Sequence, residues 1–146
     1  PDPDEKSEDR RSLTAQIQDM SVMQKIKLGI FGNTEARSIL IRDRNRLVAT
    51  AVIRSPKLGE SEVASFAKAR NLCDDVYRII SNNRAWTKSY PVKLALATNA
   101  KVSPGIAIKF LNYLTDRDLR MIMRSRDVSG PVSSQARRLL AKKGKS

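Results

Sequence analysis

The sequence predicts an all-α fold, a compact irregular stack of about eight to ten short helices, on three observations. Apolar residues step by three and four along most of the chain, as in Leu13, Ile17 and Met20 or Val76, Ile79 and Ile80, and strict alternation is nowhere sustained. Aromatic residues are 5% of a chain that is 40% hydrophobic, so the core must be Leu, Ile, Val and Ala, which suit close helix packing better than aromatic-rich sheets. A helix-turn-helix stretch also recurs after 44 residues. At 146 residues the chain has the length of one domain. Such a domain buries roughly two-thirds of its unfolded surface and needs no metal or disulfide to do so.

Residues 1–11, rich in Asp, Glu, Ser and Pro, read as a disordered acidic lead-in, because they hold too little apolar surface to offset ordering entropy. A single helical domain is expected over 12–141, followed by a basic tail over 142–146. Its first helix starts near Ser12. Ser21 with Gln24 three residues later is a capping-box pattern that opens a second helix, which Gly32 ends. Asn33 and Thr34 can cap a third, with Ala36, Ile39, Leu40 and Ile41 on its apolar side. Bursts at 47–52, 63–67, 76–80, 90–98, 104–113, 116–124 and 131–141 then predict further helices. Between them, Ser55-Pro56, Asn71, Asn82-Asn83, Asn99 and Ser129-Gly130 suit turns and caps. Pro91, Pro104 and Pro131 fall in first turns, where a missing N–H costs nothing. The strongest strand alternative is 47–53.

Sliding the chain by 44 residues lays 48–58 over 92–102, pairing Val48 with Val92, Ala51 with Ala95, Val52 with Leu96, Ser55 with Asn99 and Lys57 with Lys101. Phe66 also meets Phe110. Polar turns followed by an aliphatic peg recur at Leu58, Leu72, Val102 and Val128, a device that ends one helix and docks the next. With 94–102 plus Ser103-Pro104 as the closest match, the stretch 33–140 resembles short bacterial helical repeats of the HEAT-like and leucine-rich-repeat-variant kind. The resemblance implies stacked units sharing a continuous core, with a surface left for a macromolecular partner. Pegs spaced by 14, 30 and 26 residues make the array irregular.

Composition narrows the chemistry. The chain has no histidine and one cysteine, which removes the usual general base, the common triads and soft-ligand sets for zinc, copper or haem. Cys73 sits beside Asp74 and Asp75, which work against a thiolate, and the two acids read as a helix N-terminus rather than a metal pair. No glycine pattern suits a phosphate loop, so no nucleotide or other small-molecule cofactor is implied. A reducing, cytoplasmic setting fits, and no apolar run is long enough to span a bilayer. These features predict a protein that is not an enzyme.

Charge points to the partner. The net charge is +13, and setting aside 1–11 and 137–146 leaves 20 Lys and Arg against 10 Asp and Glu. A basic body of this kind attracts nucleic acid, anionic lipid or an acidic protein surface. Two clusters lead. Arg42, Arg44 and Arg46 alternate in one segment and can grip successive phosphates, unless Asp43 pairs with one of them. Arg117, Arg120 and Arg124 share a helical face at spacings of three and four, with Arg126 nearby. The leading expectation is therefore a polyanion-binding module, with nucleic acid foremost. A protein-interaction scaffold is the alternative, using Trp86 and Tyr90, which lie among Arg84 and Lys88, as anchors.

Overall fold

The computed structural model describes residues 12–144. These residues form eleven helices and no strand. The expected lead-in over 1–11 and the last two residues of the basic tail lie outside the described residues. The chain divides into two compact units, the first ending at Leu58 and the second starting at Gly59.

The first unit holds α1 (residues 12–18), α2 (Val22–Phe31), α3 (Thr34–Leu40) and α4 (Arg46–Ile53). Its local signals act as their chemistry dictates. The Gln24 N–H donates to Ser21 Oγ at 3.2 Å and the Ser21 N–H to Gln24 Oε1 at 2.9 Å, closing a capping box at the start of α2. Asn33 Oδ1 accepts the Ala36 N–H at 2.9 Å, and Asn45 Oδ1 accepts the Leu47 N–H at 2.9 Å. Residues 47–53 are helical, not a strand. Val48 to Ile53 are all buried, so this stretch of α4 has no solvent face and its helical period is blurred in the sequence.

Helices α2 and α4 approach closely at Gly29, where a Cβ would stand 3.1 Å from Val52 Cγ2. Gly32 ends α2 for a different reason. Its φ is an ordinary −74°, but a Cβ there would meet the Leu28 carbonyl oxygen at 2.4 Å. Side chains then satisfy three successive carbonyls at this helix end: Ser55 Oγ donates to Ile30 at 2.6 Å, Lys57 Nζ to Phe31 at 3.0 Å, and Arg37 Nη1 to Gly32 at 2.7 Å. These carbonyls have no intrahelical donor, and two of the three caps place a cation at the negative end of the helix dipole.

The second unit holds α5 (Glu60–Lys68), α6 (Asp74–Asn82), α7 (Arg84–Thr87), α8 (Tyr90–Thr98), α9 (Pro104–Leu111), α10 (Asp116–Arg124) and α11 (Gly130–Lys142). Pro91, Pro104 and Pro131 sit in first turns of α8, α9 and α11. Asp74 and Asp75 occupy the first turn of α6, as the sequence predicts, and Asp75 pairs with Arg78. The short helix α7 does not show in the sequence pattern. Asn83 ends α6 and also caps α7, its Oδ1 accepting the Trp86 N–H at 3.2 Å, so a residue that reads as a stop is also a start.

The two halves of the 44-residue repeat share a hydrogen-bond plan. Val48 and Val92, Ala51 and Ala95, and Val52 and Leu96 are buried. Ser55 Oγ accepts the Lys57 N–H at 3.3 Å, and Asn99 Oδ1 accepts the Lys101 N–H at 2.9 Å. The carbonyls of Ser55 and Asn99 accept from the pegs Leu58 and Val102 three residues on. Both side chains also donate across the fold to the end of an earlier helix, Ser55 to Ile30 of α2, and Asn99 Nδ2 to Ala67 of α5 and to Ala69 just beyond it, both at 2.9 Å. A third turn repeats the local part, with Ser125 Oγ accepting the Asp127 N–H at 3.1 Å. Of the pegs, Leu72 and Val102 are buried and Leu58 and Val128 half-buried. At Leu72 no polar side chain makes the turn. There the Ala69 carbonyl instead accepts from both Tyr77 and Asn99.

Candidate nucleic-acid interface

The two arginine clusters lie in different units. In the first, Arg42 and Arg44 belong to the loop between α3 and α4 and are exposed, whereas Arg46 is the first residue of α4. Arg42 Nη1 donates to the Ser38 carbonyl at 2.9 Å, which ties the side chain to the C-terminal end of α3. Asp43 is held elsewhere in the unit: Oδ2 pairs with Lys25 Nζ at 2.9 Å and Oδ1 accepts the Asn45 N–H at 2.8 Å. The acid that could neutralise this arginine run therefore serves to pin the loop to α2.

The second cluster is on α10. Arg117 and Arg124 are exposed and Arg120 half-buried, and Arg126 beyond the helix is exposed. Acids in the same first turn have structural partners. Thr115 Oγ1 accepts the Asp118 N–H at 3.2 Å, Asp118 accepts the Tyr90 hydroxyl, and Asp116 pairs with Lys143 at 3.2 Å. Arg117 lines an open recess of about 600 Å³ with Thr115, Asp118 and Met121. The carboxylate in that lining makes it mixed in charge.

The aromatic anchors are partly enclosed. Trp86 and Tyr90 are both half-buried, and the Tyr90 hydroxyl bonds to Asp118 and accepts the Thr115 N–H at 3.1 Å, which fastens α8 to the start of α10. Beside them is a feature the sequence does not single out. Arg84, Thr87 and Lys88 from α7 and its end, Lys93 from α8, and Phe110 and Tyr113 from α9 and its end line an open recess of about 390 Å³. Lys93 Nζ lies 4.8 Å from the centre of the Tyr113 ring, a cation–π contact. Tyr113 is 63% exposed, whereas Phe110 is 7% exposed and forms the floor. Arg84 and Lys88 flank Trp86 in the sequence and hint at a basic, aromatic patch, but Lys93 and Tyr113 join it only through the packing of α8 on α9.

Tyr77 is 1% exposed, its hydroxyl donates to the Ala69 carbonyl, and burial is the main cause that raises the phenol above its usual value of 10. Cys73 is half-buried at the N-terminal boundary of α6. Among the described residues, no three His, Cys, Asp or Glu side chains gather as a metal site, and no helix is long and apolar enough to cross a membrane. No family model, curated protein or solved structure matches the chain.

Proposed function

We propose that this chain is a non-catalytic, HEAT-like binding module that engages a polyanion, nucleic acid foremost, through Arg42, Arg44 and Arg46 and through Arg117, Arg120 and Arg124. The observation that carries the reading is the fate of the acids beside the arginines. Asp43 is occupied by Lys25 and the Asn45 N–H, Asp116 by Lys143, and Asp118 by Tyr90. Arg42, Arg44, Arg117 and Arg124 meanwhile present exposed side chains. Asp43 and Asp116 thereby pair with lysines of the fold, and Arg42, Arg44, Arg117 and Arg124 face solvent. A guanidinium fork matches a phosphate in both charge and geometry, which suits it to this use.

The reading is tested by fluorescence anisotropy with labelled duplex and single-stranded oligonucleotides over a salt series. Binding is expected to weaken steeply with salt, and the slope of log affinity against log salt should fall by about 0.7–0.9 for each phosphate contact removed. The Arg42→Glu, Arg44→Glu, Arg46→Glu triple variant should bind more weakly with a shallower slope. Failure of every oligonucleotide to bind at low salt would overturn the reading.

A further inference from the structure

We infer that the recess formed by α7, α8 and α9 is a site for one unpaired nucleotide of a single-stranded nucleic acid, with Tyr113 stacking on the base and Arg84, Lys88 and Lys93 holding its phosphates. The inference rests on the polyanion reading above and names a second, chemically distinct site for it.

Charge supports it first. Three cations line the recess with no acid among the described lining residues, in contrast to the recess at Arg117, which includes Asp118. None of the three has a carboxylate within ion-pair distance among the described residues. Three like charges around one small concavity repel one another, and an anion between them relieves that repulsion.

Ring chemistry then separates a nucleotide from a bare phosphate. Tyr113 is a large, exposed aromatic on the rim, and the buried Phe110 supplies an apolar floor. A base can lie on such a ring because every base has a π face, and cations beside the ring can meet the phosphodiester attached to that base. Lys93 sits over one face of the Tyr113 ring, which leaves the other face of this exposed ring for a base and sets a cation beside it. The volume of about 390 Å³ has room for one nucleotide. In a duplex the bases are stacked on each other, so their faces cannot reach Tyr113, and the site selects unpaired strands.

The test uses the full chain, a labelled six-residue oligothymidylate and inorganic polyphosphate as a competitor that has charge but no base. Tyr113→Leu is expected to weaken oligothymidylate binding about 5- to 160-fold at fixed salt, the range that loss of one stacked base implies, and to leave competition by polyphosphate unchanged. Tyr113→Phe should bind like the parent, because stacking uses the ring and not the hydroxyl. The Lys88→Ala, Lys93→Ala pair should weaken both ligands. Far-ultraviolet circular dichroism checks that the variants are folded, and the exposure of Tyr113 makes it a mild substitution. A folded Tyr113→Leu that binds oligothymidylate like the parent, while reversal of Arg42, Arg44 and Arg46 still weakens it, overturns this site and leaves the polyanion reading standing. Equal affinity for polyphosphate and oligothymidylate at matched charge also overturns it. Absence of all binding at low salt overturns both.

Discussion

The side-chain amide of Asn99 donates to the carbonyl of Ala67 at 2.9 Å, linking the end of α8 to the end of α5 through a residue that is only 7% exposed. The same amide reaches Ala69 at 2.9 Å, and the Asn99 side-chain oxygen holds the Lys101 N–H at 2.9 Å. Asn99→Ala removes all three bonds, taking a donor from the carbonyl of the buried Ala67 and leaving Ala69 with Tyr77. The expected cost is about 3 kcal/mol. In a chain of this size that lowers the melting temperature by roughly 10 °C in a thermal scan. A shift under about 2 °C would show that water replaces the amide without loss.

Gly29 and Val52 set how closely α2 and α4 approach, so Gly29→Val should crowd the contact and destabilise by about 1–3 kcal/mol. Val52→Ala opens space at the same point. In a double-mutant cycle by urea denaturation, the pair should be more stable than the two single losses predict, with a coupling of about 0.5–3 kcal/mol. Simple additivity would mean that the helices move apart to absorb the added side chain.

Arg37 is 4% exposed and donates to the Gly32 carbonyl and, at 3.2 Å, to Thr34 Oγ1. Arg37→Met keeps most of the stem and removes the guanidinium. It is expected to cost about 2–3 kcal/mol, the value of charged hydrogen bonds in a shielded place, read as a lower urea midpoint at constant slope. Arg37→Lys should recover little, since one ammonium cannot reproduce the planar fork.

Tyr77 predicts a dependence on alkaline pH. Its folded value is raised above the usual 10 by burial, so its contribution to stability is fully present below about pH 10 and is lost as pH rises through the folded value. In that window the unfolded chain has released the phenolic proton and the folded chain still holds it, so rising pH favours unfolding. Tyr77→Phe should lose less stability than the parent between about pH 9 and 11 in paired denaturation curves. Parallel curves would assign the alkaline loss to lysines instead.

Tyr90 joins α8 to Asp118 and Thr115 at the start of α10. Tyr90→Phe is expected to lower stability by about 1–2 kcal/mol in chemical denaturation and to weaken oligonucleotide binding no more than a few-fold, since the released Asp118 carboxylate stands beside Arg117. A large loss of affinity in a stably folded Tyr90→Phe protein would return this hydroxyl to the binding surface.

Most helices are legible in the sequence because their signals are local. The Ser21 and Gln24 box, the Asn33 cap, first-turn prolines and three- and four-residue apolar steps act within a turn or two of themselves. Helix α8 runs Tyr90–Thr98 and α10 runs Asp116–Arg124, the spans their apolar bursts mark. The helix α7 stays hidden because one asparagine both ends and starts a helix, and four residues are too few to display a period. Leu47 misleads in the other direction: it reads as a core position and is 64% exposed at the start of α4.

The sequence by itself determined the all-helical class, most helix boundaries and the excess of positive charge, since propensity, capping and composition depend on near neighbours or on simple counts. It also marked Ser55 and Asn99 as equivalent points of a repeat. Only the tertiary structure decided what those two residues do, reaching back 25 positions to Ile30 and 32 to Ala67 to close the ends of earlier helices. It likewise gave Asp43 to Lys25 and brought Lys93 to the ring of Tyr113. Each of these is a pairing across the chain, and a hydrogen bond or ion pair depends on distances of a few ångströms that only packing sets.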